Sequence, residues 1–212
     1  MLPGAAVLAL PGTTASMLNS FPGAFGANDQ VSFTRAMAIS CNTAFASVGM
    51  DIGADALRAQ AEKFGFGDSL SVPMRVTPST IPAELNMPQL AQSSIGQFDV
   101  RVTPLQMAMV AAGVANDGAV MKPYLVQSVI GSDLSVIETT DPQELSQAVT
   151  PDVAARLTRM MEAVVIDGSG TRAQIDGVAV AGKSGTAQHG EGRKPHAWFI
   201  SFAPADDPQI AV

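Results

Sequence analysis

The stretch that decides the fold is Val178 to Gln188, which reads Val-Ala-Val-Ala-Gly-Lys-Ser-Gly-Thr-Ala-Gln. Its first four residues are an apolar run with β-branched residues at alternate positions, which predicts a buried β-strand. Lys183, Ser184 and Thr186 then add an ammonium group and two hydroxyl groups among glycines. A glycine inside a strand often marks a place where a ligand or another backbone approaches closely. The stretch therefore predicts a strand whose polar end forms a binding site.

One interpretation of this stretch is a phosphate-binding P-loop, because Gly177 to Ser184 matches the pattern G-x-x-x-x-G-K-[ST]. Such a loop follows a strand, turns through flexible backbone and opens a helix after its Ser or Thr. Here the four variable positions are Val and Ala, which are stiff or strand-prone, and Gly-Thr-Ala-Gln after Ser184 is a poor helix start. The context disfavours a nucleotide-binding protein, which stays open as the weaker alternative.

Composition excludes several classes of function. The chain has 212 residues, of which 47% are hydrophobic, so we expect one folded unit with a single core. The formal net charge is −7 and the 12 Lys and Arg residues are scattered, which argues against a nucleic-acid partner. A single cysteine, Cys41, predicts a small buried side chain and no disulfide, and we predict no metal and no other cofactor. No apolar run approaches the roughly 18 residues of a membrane span.

Capping residues and hydrophobic spacing predict helices in the first two thirds of the chain. The predicted helices begin near Ser32 with a break around Ser40-Cys41-Asn42, run from Ala54 to Phe64, from Thr103-Pro104 to about Asn116, and from Thr150-Pro151 to about Val165. Residues 1–30 read as irregular apart from one short strand, and residues 67–100 as a long ordered loop.

Strands are predicted mainly near the end of the chain, where short loops join them. The predicted strands are Ala5–Leu10, Val120–Ile130, Leu134–Thr139, Val178–Gln188, Ala197–Ala203 and Gln209–Val212. Helices followed by strands with hairpin-like connections favour an α+β fold with an antiparallel sheet over a doubly wound α/β fold.

A second polar motif, Ser40-Cys41-Asn42, precedes the lysine-containing strand, and further landmarks follow in order. They are Gly96-Gln97, Thr103-Pro104-Leu105-Gln106, Gly182 to Gln188 and His196-Ala197-Trp198-Phe199. Together they resemble the Ser-x-Asn and Lys-Ser/Thr-Gly elements of penicillin-binding proteins. The chain is similar to the later part of a class B penicillin-binding transpeptidase domain of the actinobacterial type. The resemblance implies the penicillin-binding and β-lactamase-like fold, an antiparallel sheet with helices on its faces, with residues 1–212 as part of one such domain.

The resemblance also implies an activity and roles for three residues. Members of the family cross-link peptidoglycan by acyl transfer from a D-Ala-D-Ala stem peptide to a serine and then to an acceptor amine. By this resemblance Ser40 would pass a proton towards the leaving amine, and Asn42 would hold the substrate amide. Lys183 would supply positive potential for the substrate carboxylate and for proton transfer.

The rest of the lysine-containing strand would bind the substrate. Ser184, Gly185, Thr186, Ala187 and Gln188 would line the site for the stem peptide, which would add to the strand edge as a further strand. The Thr186 hydroxyl would donate to the substrate carboxylate, and the Gln188 backbone N–H would contribute to the oxyanion hole. β-Lactams would occupy the same site.

One family element has no counterpart here, because no serine in the chain has a lysine three positions later. Ser32-Phe33-Thr34-Arg35 comes near to it, but an arginine cannot deprotonate to act as a base. We therefore expect a fragment, cut at both ends and inactive alone, with no nucleophile in this chain. The full-length protein would sit on the extracytoplasmic face of the cell membrane, held by an anchor that is absent here.

An alternative within the same fold is a catalytically inactive protein that binds partners in a cell-wall synthesis complex. The remaining polar and aromatic side chains favour structural roles. His189 and His196 are expected to be surface or structural residues, and Trp198 is expected to pack under the sheet.

Overall fold

The computed structural model describes residues 1–19, 29–190 and 192–212, and within them the chain forms helices and antiparallel strands. The helices are α1 (Phe33–Ala38), α2 (Asn42–Ile52), α3 (Ala54–Lys63), α4 (Met87–Ser93), α5 (Pro104–Ala115) and α6 (Pro151–Asp167). The strands are β1 (Leu2–Pro3), β2 (Val7–Ala9), β3 (Ser16–Leu18), β4 (Gln30–Val31), β5 (Ala119–Met121), β6 (Ser128–Ile130), β7 (Val136–Thr139), β8 (Glu144–Gln147), β9 (Ala181–Ala187), β10 (His196–Ala203) and β11 (Ile210–Ala211).

The central sheet has the order β11-β10-β9, and its strands pair antiparallel. Four two-stranded antiparallel ladders accompany it, in the pairs β1–β4, β2–β3, β5–β8 and β6–β7. Among the described residues β9 pairs with β10 alone, so its second edge is open. The predicted α+β fold with an antiparallel sheet is confirmed.

The core lies between this sheet and helices α5 and α6. Phe202 of β10, 1% exposed, packs there with Ala111, Val114, Met161, Ala181 and Ala205. Small residues on α5 and β9 let the helix and the sheet approach closely, and the larger Phe202 and Met161 fill the space between them. This packing fixes β9, and with it the polar residues at its far end.

Three predicted helix starts are confirmed by their caps. The hydroxyl groups of Ser32, Thr103 and Thr150 accept hydrogen bonds from backbone N–H groups three residues later, at 3.1, 3.1 and 3.4 Å. Proline occupies the first turn of α5 and of α6, where no intrahelical donor is needed. Gly65 follows α3 with a φ of 90°, as expected of a glycine that ends a helix.

The predicted strand Val120–Ile130 is wrong, because the structure has two strands there. β5 ends at Met121 and β6 begins at Ser128, and the segment between them contains Pro123, which has no N–H for a ladder hydrogen bond. β5 pairs with β8, a polar strand that hydrophobic patterning did not predict. The region 67–100 is likewise not all loop, because it contains α4.

The central strand begins at Ala181 rather than at Val178 as predicted. Val178 instead donates its N–H to the Ile175 carbonyl in a tight turn at 3.1 Å. Near the start of the chain β2 confirms the strand predicted at Ala5–Leu10, and β1, β3 and β4 add strands where irregular structure was expected. The part of that expectation that covers residues 20–28 lies outside the described residues. In the described ranges, no helix combines the length and the apolarity that crossing a bilayer requires.

Candidate functional site

The two polar motifs meet in a groove beside the open edge of β9. The groove encloses about 970 Å³, and its lining includes the turn between α1 and α2, residues 92–97 at the end of α4 and beyond it, and β9. Ser40 and Asn42 contribute one wall, and Lys183, Ser184 and Thr186 contribute the facing wall. The structure therefore brings together residues that are about 140 positions apart in the sequence.

Ser40 reaches the groove because α1 ends at it in a Schellman motif. Its backbone has a φ of 56°, in the left-handed region that glycine usually occupies at this position. The N–H of Cys41 donates to the Ala36 carbonyl at 2.9 Å, and the N–H of Ser40 donates to the Met37 carbonyl at 3.2 Å. Cys41 then enters the core at 1% exposure, as predicted. The predicted break in the helix is confirmed, and it points the Ser40 hydroxyl at β9.

Lys183 is the charged group of the site. Its Nζ donates to the Ser40 Oγ at 2.8 Å and to the Ser184 carbonyl at 2.6 Å. Burial lowers the pKa of Lys183 from 10.5 to about 8, because the partly enclosed ammonium loses hydration. No carboxylate is among the hydrogen-bond or ion-pair partners of Lys183 in the part of the chain that the structure describes. The site can therefore hold and release a proton close to neutral pH.

Glycine on β9 makes this position of the lysine possible. A Cβ on Gly182 would lie 2.5 Å from the Phe199 ring on β10, so a larger residue would displace that ring. Gly185 faces Trp198, which is half-buried, with 3.2 Å between a Cβ at Gly185 and that of the tryptophan. The glycines in the quoted stretch thus mark close approach to the neighbouring strand.

Asn42 is the first residue of α2 and lines the groove beside Ser40. Its side-chain nitrogen donates to the Leu18 carbonyl of β3 at 3.0 Å. This hydrogen bond fixes the orientation of the amide, and no donor among the described residues bonds its oxygen, which can accept from a ligand.

The open edge of β9 carries the predicted binding residues. Ser184, Gly185, Thr186 and Gln188 line the groove, whereas Ala187 pairs with His196 of β10 and does not. The Thr186 carbonyl accepts a hydrogen bond from the Gln97 side chain at 3.1 Å. In an antiparallel strand the N–H and C=O of one residue point to the same side, so the whole Thr186 backbone unit faces the groove.

Two residues of the groove were missed as site residues by the sequence interpretation. Gln97 belongs to one of the quoted landmarks but has no predicted role, and Ser169 belongs to none of the quoted motifs. The Ser169 Oγ lies 2.6 Å from the Ser184 Oγ. The flanking glycines were the available signal, because a Cβ on Gly168 would lie 2.3 Å from the Ala38 carbonyl oxygen.

The P-loop interpretation of Gly177 to Ser184 is wrong. Lys183 and Ser184 lie within β9, paired with Ile200 and Phe199, and the strand continues to Ala187 instead of opening a helix. No phosphate cradle forms at this point of the chain.

The described residues also contain no group of three or more His, Cys, Asp or Glu side chains that could hold a metal ion. His189 and His196 stack on each other at the end of the β9–β10 hairpin, with 4.0 Å between ring centroids.

Comparisons with known proteins agree on one family. The sequence profile described as "Penicillin binding protein transpeptidase domain" matches residues 15–212. The chain is 45% identical over 207 residues to the peptidoglycan D,D-transpeptidase PbpA of Mycolicibacterium smegmatis, covering 96% of this chain and 42% of the relative. It is 43% identical over 217 residues to PbpA of Mycobacterium tuberculosis, covering 100% of this chain and 44% of the relative. The chain therefore spans less than half the length of these curated relatives.

Comparison with solved structures indicates the same family. A crystal structure of penicillin-binding protein A from M. tuberculosis, an acyl-enzyme complex with ceftriaxone, superposes with a TM-score of 0.92 at 42% identity. The match covers 99% of this chain and 48% of that one. A penicillin G acyl-enzyme complex of the same protein superposes with a TM-score of 0.90.

Proposed function

The chain belongs to the penicillin-binding protein transpeptidase family, and we propose that it supplies the proton-transfer and substrate-binding groups of a peptidoglycan D,D-transpeptidase. The observation that carries this proposal is the 2.8 Å hydrogen bond from Lys183 to Ser40 in a groove along an open strand edge. No serine of the chain has a lysine three positions later, so the nucleophile of the proposed reaction is not identified among these 212 residues.

The contact between Lys183 and Ser40 suits proton delivery to a leaving amine. Because the Ser40 oxygen accepts from the Lys183 ammonium, its own hydroxyl hydrogen is free to point into the groove. When the amide bond of a stem peptide breaks, Ser40 gives that hydrogen to the departing nitrogen and takes another from Lys183. A lysine with a pKa of about 8 can give up this proton more readily than one with a pKa of 10.5.

The edge of β9 suits a peptide that ends in a carboxylate. An extended stem peptide adds to the open edge as a further strand, and Asn42 on the opposite wall holds its amide. The ammonium of Lys183 and the hydroxyl of Thr186 attract and bind the terminal carboxylate. β-Lactams, which mimic this terminus, occupy the same groove.

The oxyanion hole is best supplied by Thr186. The resemblance implies the Gln188 backbone N–H, but β9 ends at Ala187, and Gln188 is exposed beyond it. The Thr186 carbonyl faces the groove, so its N–H does too, inside the paired part of the strand. A donor held by a regular ladder is preorganised, which is what stabilisation of a developing negative charge requires.

A chimera with the M. smegmatis relative tests the proposal. The 207-residue stretch of PbpA that matches this chain is replaced by the chain, and the rest of PbpA is kept. We expect a fluorescent penicillin to label the chimera covalently, and Ser40→Ala to slow labelling by about 100-fold or more, as for loss of a general acid–base group. Ser128→Ala, on an exposed strand away from the groove, is the matched control. A folded chimera that takes no label would overturn the proposal.

The cellular location and the binding partners of the protein follow from the proposed activity. Peptidoglycan lies outside the cell membrane, so we place the working protein in the cell envelope, on the extracytoplasmic face. Its partners are stem peptides that end in D-Ala-D-Ala, β-lactams and other cell-wall synthesis proteins. An inactive scaffold has no need to keep a half-buried ammonium beside Ser40, since desolvating such a group costs free energy.

A further inference from the structure

Two serine hydroxyl groups meet at the wall of the groove, and the proton-transfer step described above involves neither of them. The Oγ atoms of Ser169 and Ser184 are 2.6 Å apart, which is a short hydrogen bond between two neutral hydroxyls. Both residues line the groove. Ser184 lies on β9 next to Lys183, whereas Ser169 lies in the connection that follows α6.

Ser169 is held rigidly by contacts that reach the other wall of the site. Its backbone N–H donates to the Ala38 carbonyl near the end of α1 at 2.9 Å. The preceding Gly168 has no room for a side chain against the same carbonyl, and the N–H of Gly170 donates to the Val164 carbonyl at 2.9 Å. The backbone of Ser169 is therefore fixed relative to both α1, which ends two residues before Ser40, and α6.

Which of the two serines donates the hydrogen bond, and which keeps a free hydrogen, depends on what binds in the groove. A hydroxyl donates one hydrogen and accepts others, so in this pair one serine donates and the other is left with a free hydrogen. If Ser169 donates to Ser184, the Ser184 hydrogen is free to point into the groove, which Lys183 also lines. Hydrogen bonds in such a chain polarise one another, so a Ser184 that accepts from Ser169 becomes a better donor to an anion.

We propose that Ser169 is a positioning residue that donates to Ser184 and thereby directs the Ser184 hydroxyl hydrogen at the terminal carboxylate of the substrate. This inference rests on the proposed function and deepens it. Ser169 itself does not touch the substrate. It acts by selecting one of the orientations that the Ser184 hydroxyl could adopt, so its effect is confined to ligands that carry the carboxylate.

The experiment compares two probes on the PbpA chimera, benzylpenicillin and its methyl ester, which lacks the anionic oxygen. The second-order rate of acylation is measured for the parent chimera and for Ser169→Ala, Ser184→Ala and the double variant, with Ser128→Ala as the matched control. We expect Ser169→Ala to lower the rate with benzylpenicillin by about three- to tenfold, the usual effect of one hydrogen bond. We expect no change with the ester, and no further loss when Ser169→Ala is added to Ser184→Ala.

Each outcome either supports the positioning role of Ser169 or overturns it. If Ser169→Ala lowers the acylation rate with benzylpenicillin but not with the ester, and has no effect when Ser184 is already alanine, the positioning role is supported. An equal loss with both probes means that Ser169 only supports the local structure, and an unchanged rate means that it has no role, so either result overturns the inference and leaves the proposed function intact. A folded parent chimera that neither probe acylates overturns the proposed function, and this inference with it.

Discussion

Lys183 gives the folded chain a pH dependence that can be measured without any substrate. Burial lowers the pKa of this lysine from 10.5 to about 8. Between these two values the unfolded chain keeps the proton and the folded chain has lost it. Because the unfolded state then binds more protons, the free energy of unfolding must rise with pH across this window. Below pH 8 both states are protonated, so the lysine adds no further slope there.

The size of the effect follows from the shift. A difference between 10.5 and about 8 corresponds to an upper limit of about 3–4 kcal/mol, at about 1.4 kcal/mol per pKa unit. Lys183 is only partly buried, and solvent screening reduces what the shift contributes to stability. We therefore expect the contribution of Lys183 to the free energy of unfolding to rise by about 2 kcal/mol between pH 8 and pH 10.5.

The assay is urea unfolding of the wild type and of Lys183→Met at pH 7, 8, 9 and 10. Other groups titrate equally in both proteins and cancel in the difference between them. Wild type should gain stability relative to Lys183→Met as the pH rises above 8. The exposed Lys194→Met serves as the matched control, and its difference from wild type should stay flat. A flat difference for Lys183→Met as well would refute the argument that desolvation governs this ammonium.

Three further predictions concern stability and can be checked by urea unfolding at pH 7. Ser40→Gly should be about 1 kcal/mol more stable than Ser40→Ala, because both lose the hydroxyl and only glycine adopts a φ of 56° freely; equal stabilities would mean no backbone strain at this turn. Gly168→Ala should cost about 2 kcal/mol or more, because its Cβ would lie 2.3 Å from the Ala38 carbonyl oxygen, and a smaller loss would show that the connection can shift. Phe202→Ala should cost about 3–5 kcal/mol and Leu134→Ala less than about 0.5 kcal/mol, since these side chains belong to residues that are 1% and 84% exposed, and similar losses would contradict the assigned core.

Helix starts could be predicted from sequence because their signals are local. A cap such as Thr150 bonds an N–H three residues later, and nothing elsewhere in the chain decides that contact. The helix α4 carries an equally local signal, since Asn86 and Gln89 bond each other's backbone N–H groups in a capping box. The predicted loop over residues 67–100 overlooks it, because the four prolines in that range favour turns.

Strand limits were predicted less well because pairing partners decide them. β8 is polar and became a strand only by pairing with β5 across some 25 residues of sequence. The apolar Val178 reads as strand, yet its N–H closes a turn with Ile175 before pairing with β10 begins. Propensity describes how a residue fits a pleated surface, and it does not say where a neighbouring strand ends.

The residues of the site also differ in whether the sequence alone can predict them. Ser40 and Lys183 each belong to a motif that the sequence shows, and the structure joins them by a 2.8 Å hydrogen bond. Ser169 belongs to none of the quoted motifs, and its contact with Ser184 exists only because the connection after α6 folds back against α1. Such a residue is found from the geometry of the neighbours that it touches.

The backbone at Ser40 shows how the fold and the site are coupled. A Schellman turn favours glycine at this position, and a side chain there costs about 1 kcal/mol or more of strain. Glycine would end α1 equally well, but it would leave Lys183 without its Ser40 partner, so a partly buried ammonium would lose a hydrogen bond. The strain and the lowered pKa of Lys183 are two costs that meet at one contact, and neither improves the packing of the core. Their coincidence at the groove is the physical reason to assign chemistry, rather than structural support, to this pair.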